Sequence, residues 1–200
     1  MKKQKAARNG FFKRNYGETL VYIKESRNFI YSMIGLFIFF TVFGFVLPVP
    51  AELEAKILEF IEQLLKQTEG LSQRELIWFI FWNNLQSSFT GMLFGVMLGI
   101  FPVASAVANG YILGFVASRV AESNGILVLW RLLPHGIFEL PALFISLGLG
   151  LKLGTFIFKQ NKFESLKNYL INSIKVFFFI ILPLLIIAAI IEGSLISLLG

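Results

Sequence analysis

His135 and Glu139 stand four residues apart, a spacing that sets an imidazole and a carboxyl on one face of a helix, in a stretch of otherwise apolar neighbours. A base and an acid placed so could relay a proton, hold a cation or contact a polar solute. Pro141, two residues further on, takes a donor out of the helix and leaves the carbonyl of Ile137 without its usual partner. Pro134 opens the same segment, and the two prolines read as kink positions. Asn83, Asn84, Gln86 and Asn109 add amides, and Arg131 adds a cation. Polar groups at membrane depth are costly and face a bundle interior or a water-filled cavity. Asn83, Asn84, Asn109, Arg131, His135 and Glu139 are therefore expected to form an intramembrane polar cluster. One use of such a cluster is a structural clamp, with Glu139 paired to His135 or Arg131 and accepting hydrogen bonds from the asparagines. The other is a transport or ligand site.

Several chemistries are excluded. There is no cysteine and only one histidine, so no metal site is expected within the chain; one His and one Glu are too few ligands. Ser105, Ser118 and Ser146 read as packing residues, and no nucleophile, base and orienting group come together. Neither a catalytic residue nor a cofactor is expected, and the chain is read as a non-enzyme.

The setting of these residues follows from composition. Apolar residues make up 56% of the 200 and charged residues 15%, against about 45–50% and about 25% in soluble domains. The charges avoid long stretches, and a spanning helix needs roughly 20 mostly apolar residues. An all-α, polytopic membrane bundle of about five spans is predicted, over 29–47, 76–100, 103–120, 134–153 and 176–191, as one transmembrane domain from 29 to 200. The net charge of +6 would suggest nucleic acid in a soluble protein. Here Lys2, Lys3, Lys5, Arg8, Lys13, Arg14, Lys24 and Arg27 gather in residues 1–28, where the meaning is topological and no nucleic-acid partner is expected. That basic start before an apolar run could be a signal peptide, with Val49-Pro50-Ala51 as a loose cleavage site. The run over 29–47 exceeds the usual 7–15-residue signal core and is read as an uncleaved first span.

Between the spans lie distinctive pieces. Residues 19–27 could form a short interfacial helix. Residues 51–70 are amphipathic, with Leu53, Ile57, Phe60 and Leu64 at helical spacing and Glu52, Glu59, Glu62, Lys66 and Glu69 around them; an extramembrane helix is predicted there. Ser72-Gln73-Arg74-Glu75 has the form of a capping box. The second span, taken straight from there to residue 100, would be about 42 Å long, so it either begins in the interface or breaks near the asparagines. Residues 121–133 are too short to span and are expected to be interfacial or re-entrant. Scored by basic loop residues, the N-terminus and the 152–175 loop are expected in the cytoplasm and the C-terminus outside.

Small residues at every fourth position let membrane helices approach closely. The rows are Gly91, Gly95, Gly99 in the second span, Ala106, Gly110, Gly114, Ser118 in the third, and Ser146, Gly150, Gly154 in the fourth. They predict a compact bundle of spans two to four, with spans one and five more exposed to lipid. A homodimer is a further use of such rows, although one chain could satisfy them all.

The stretch Leu132-Leu133-Pro134-His135-Gly136-Ile137-Phe138-Glu139-Leu140-Pro141-Ala142 resembles the hallmark of the stage II sporulation protein M family. Asn83-Asn84, Asn109-Gly110 and Leu149-Gly150-Leu151-Lys152-Leu153-Gly154 agree in order. The resemblance implies a polytopic protein of about five spans. It also implies a scaffold role in a cell-envelope or membrane-remodelling complex, since the sporulation members assemble with a peptidoglycan hydrolase and a partner protein. Relatives also occur in organisms that form no spores. Lipid and protein partners in such a complex are the expectation; the basic N-terminal segment and the 51–70 helix are where partners would be sought.

Overall fold

The computed structural model describes residues 2–127 and 133–199. Among them the secondary structure is helical throughout, with no strand: α1 (Lys2–Glu25), α2 (Arg27–Val46), α3 (Ala51–Thr68), α4 (Gln73–Leu93), α5 (Ile100–Asn124), α6 (Leu133–Gly154), α7 (Lys162–Val176) and α8 (Leu182–Leu199). Four stretches are long and apolar enough to cross a membrane: Arg27–Val46, Ile100–Ser123, Gly136–Phe158 and Lys162–Ser197. The remaining expected span, the second (76–100), corresponds to α4. Its run Asn83-Asn84-Leu85-Gln86-Ser87-Ser88 lowers its hydropathy, yet it packs along α6 and α8 and carries buried Ile80, Ser88, Gly91 and Met92.

Local chemistry sets the helix ends. Pro48 and Pro50, lacking donors, close off α2, and α3 begins directly after Pro50 with Glu52 and Glu54 in its first turn, where the helix dipole favours anions. The capping box opening α4 forms as expected: the Ser72 backbone N–H donates to Glu75 Oε2 at 2.9 Å, and Ser72 Oγ donates to the same oxygen at 2.6 Å.

Several boundaries differ from the sequence reading. The basic segment is one long helix, α1, in place of a short one over 19–27. A break occurs at Ser26, whose Oγ donates to the Tyr22 carbonyl at 2.6 Å. α4 passes through the asparagines unbroken, because polar side chains do not disturb the backbone ladder, and ends at Leu93. A 3₁₀ turn over Phe94–Val96 follows, and the chain reverses through Leu98 and Gly99 at positive φ. α5 extends to Asn124, so part of the expected interfacial 121–133 segment is its last turn; 128–132 lie outside the described residues. α6 continues through Lys152 to Gly154 and α7 begins at Lys162, so the expected basic loop over 152–175 is mostly helix. α7 and α8 form one rod through a π-helical stretch at Phe177–Ile181. Pro183, in the first turn of α8, cannot donate back into that stretch, which accounts for the wider turn there.

Glycine contacts set the register of the bundle. A Cβ on Gly110 would press on the Phe37 carbonyl, and one on Gly114 would collide with the Thr41 carbonyl. α2 and α5 therefore run parallel, in the most extensive helix interface of the chain. A Cβ on Gly95 would collide with Gly150, and one on Gly154 with the Gly99 nitrogen, so α4 and α6 also run parallel. Gly193 lies against Ile77 and Phe177 against Phe89 with ring centroids 5.0 Å apart, so α8 runs opposite to α4. The row on the third span thus pairs with the first span, which corrects the expected core of spans two to four. Both α2 and α8 belong to the bundle. One end of the bundle carries α3 and the C-terminal part of α8; the other carries α1, α7 and the reversal at Gly99.

Candidate functional site

Glu139 occupies the second turn of α6, near the α3 end, and is half-buried. Its carboxyl is hydrogen-bonded to that of Glu192 in α8. A hydrogen bond between two carboxyls needs a proton on one of them, since an ionised carboxylate only accepts. A pair of carboxyls in such contact can hold one proton between them.

A cavity of about 680 Å³ opens beside the pair. Asn83 and Asn84 of α4 line it together with Glu139 and Glu192, while Ile61, Leu64, Leu65 and Thr68 of α3 form its roof. A second cavity of about 580 Å³ lies on the other flank of Glu139, between α2, α5 and α6, walled by Phe37, Leu113, Ile137, Leu140 and Leu143 and with Thr41 and Asn109 as its other polar groups. Glu139 is the one residue common to the two linings. A proton or a hydrogen-bonding group could therefore be presented to either space by one side chain.

The expected polar cluster is partly brought together. Asn83, Asn84 and Glu139 share the first cavity. Asn109 is on the other side, and its Nδ2 donates to the Ser105 carbonyl of its own helix at 2.8 Å and to Ser105 Oγ at 3.2 Å. Arg131 lies outside the described residues, and so does the side chain of His135, whose backbone belongs to the first turn of α6. Pro141 sits inside α6 without breaking it. The partner that sequence reasoning missed is Glu192. An acid just beyond an apolar run reads as the end of a span, and nothing local marks it as facing α6. The signal available was that Gly193, the one glycine of that helix, follows it.

The opposite end holds a second buried charge that the sequence hid. Lys152, only 7% exposed, donates from Nζ to Ser26 Oγ at 3.0 Å and sits 3.8 Å from the centroid of the Tyr22 ring, with Tyr169 at 5.4 Å. A cation over an aromatic face is favourable, more so when desolvated. Burial pushes the Tyr22 phenol up to about 12, so the ring stays neutral beside the lysine. Lys175 Nζ donates to Glu18 at 2.9 Å and holds that carboxyl below its usual range. These contacts fasten α1 to α6 and α7.

Between the two ends the bundle is closed. Ser146 Oγ donates to the Ser88 carbonyl, with both serines buried. Gly91, Gly95, Gly99, Gly150 and Gly154 meet one another's helices, Ala106 is fully buried, and Gly110 and Gly114 meet α2. Ser118 instead faces a smaller cavity with Gly44 and Arg119. The small-residue rows are used within the chain and supply no argument for a dimer. Among the described residues no group of three or more metal-ligating side chains occurs.

A family model described as stage II sporulation protein M matches residues 33–195, from within α2 to within α8, and so includes both carboxyls and the glycine seams. An uncharacterized protein of Methanocaldococcus jannaschii is 33% identical over 137 residues; the match covers 66% of this chain and 60% of that protein's length. No solved structure matches. With the match reaching from the first span to the last, the chain belongs to the stage II sporulation protein M family.

Proposed function

We propose that the chain is a membrane-embedded scaffold subunit of a cell-envelope or membrane-remodelling complex, without catalytic activity of its own. The observation that carries this reading is the contrast between a bundle locked at backbone contact by glycine and two long helices, α1 and α3, that lie at its ends with most of their described side chains exposed. A rigid membrane part with presented helices suits a subunit that positions partners. The excess of basic residues in α1 supports a cytoplasmic side for it. The test is crosslinking in native membranes followed by purification. A stoichiometric protein partner, retained in Glu139→Gln and lost when α1 is deleted, is the expected result.

One observation favours a second reading. Glu139 faces two cavities and shares a hydrogen bond with Glu192, which suits a transport component that moves protons or cations. Proton and cation flux into liposomes carrying the purified chain decides between the two. Flux equal to empty liposomes supports the scaffold; flux abolished by Glu139→Gln replaces it with the transport reading.

A further inference from the structure

α3 is tied to α5 by an ion pair between Glu54 and Arg119. Of its side chains only Ile57 is buried. The stripe Ile57, Ile61, Leu64 and Thr68 faces the bundle end, and its last three members roof the 680 Å³ cavity. On both sides of that stripe the helix presents further large apolar side chains to the surroundings. Leu53 and Phe60 flank one side at 41% and 47% exposure, and Leu58 and Leu65, the latter at the rim of the cavity, flank the other at 48% and 64%. The remaining face carries Glu52, Glu59, Glu62, Gln63 and Lys66.

The position of α3 is constrained. Residues 47–50 join it to the end of α2 and residues 69–72 join it to the start of α4. Four extended residues reach no further than about 14 Å, so both ends of α3 stay at the level where the bundle's apolar belt stops. A helix with an apolar face and a charged face, tethered there at both ends, settles with its apolar side about 5–10 Å into the boundary between headgroups and acyl chains.

We propose that α3 is a membrane-interfacial helix that docks on the bilayer, with Leu53, Phe60, Leu58 and Leu65 in the hydrocarbon boundary and its acidic face in water. Val46 and Leu47, exposed at the end of the α2 span, carry its apolar surface up to the short linker into α3, so the occupant is lipid. Four glutamates against two lysines in α3 give no attraction for anionic headgroups, so zwitterionic lipid is sufficient.

The chain has no cysteine, so single cysteines can be spin-labelled in the full-length protein in phosphatidylcholine liposomes. Labels at Leu53, Leu58, Phe60 and Leu65 are expected to collide more with oxygen than with a water-soluble nickel chelate, as would a control at lipid-facing Ile38. Labels at Glu59 and Gln63 are expected to show the reverse, and the pattern is expected to be unchanged by added salt. Two results overturn the proposal: chelate-dominated collisions at the four apolar positions, which place the helix in water, or exclusion of both reagents, which places protein over that face. Four independent sites keep the test decisive if one variant folds poorly.

Discussion

The two halves of α6 are built to opposite ends. From Ser146 to Gly154 small residues bring the helix against α4 so tightly that added atoms have nowhere to go. From Gly136 to Leu143 the same helix stands between two cavities and carries Glu139. In lipid no hydrophobic drive pulls helices together, so closeness must come from shape. Where the small residues stop, the bundle parts, and there the polar groups collect. The absence of tight packing thus marks the candidate site as clearly as the presence of acid does.

The contrast can be broken most sharply at the closed half. Gly95→Ala or Gly114→Ala places a methyl group into backbone of the facing helix, and overpacking of this kind costs about 3 kcal/mol or more. Thermal unfolding in detergent should show a large loss, while Gly35→Ala, with nothing within 4 Å, should be nearly neutral. Equal behaviour of the three would sink the account of the seams. Leu147→Ala at the closed half should come next, at about 2–5 kcal/mol, since Leu147 is fully buried. Leu64→Ala in the cavity roof should cost less than about 1 kcal/mol by the same assay. Comparable losses would mean that the cavity end is packed after all. Ser146→Ala should be milder, about 1 kcal/mol, for one hydrogen bond.

The smallest expected effect concerns the docking of α1. The Glu18 carboxyl is lowered from its ordinary value by Lys175, so its folded pKa lies below its unfolded one. Its contribution is present at neutral pH and is lost as pH falls through the folded value, below about 4.5. Hydrogen exchange in α1 should quicken slightly across that window, and Glu18→Gln should remove the change. A pH response persisting in the variant would assign it elsewhere.

Much of this architecture was legible in sequence because the membrane imposes few solutions. Apolar runs, Pro48 and Pro50, and the Ser72–Glu75 capping box located the spans and helix starts. The small-residue rows were also legible, but a row says only that something comes close. That Gly110 and Gly114 meet α2 depends on the whole bundle. Glu192 and Lys152 were hidden for a shared reason: each lies near a span's edge, where a charge is ordinary in sequence and only tertiary packing buries it. α1 was obscured by Gly10, Gly17 and its charges, all of which weaken helical periodicity.

The contacts of Lys152 make α6 the link between the two ends of the bundle. The lysine grips α1 through Ser26 and Tyr22 at one end of that helix, and Glu139 stands thirteen residues back, about 20 Å away at the rise of an α-helix. Between them the rod is continuous and wedged by glycine on α4. The contact that docks α1 and the carboxyl pair are therefore carried at opposite ends of one continuous helix.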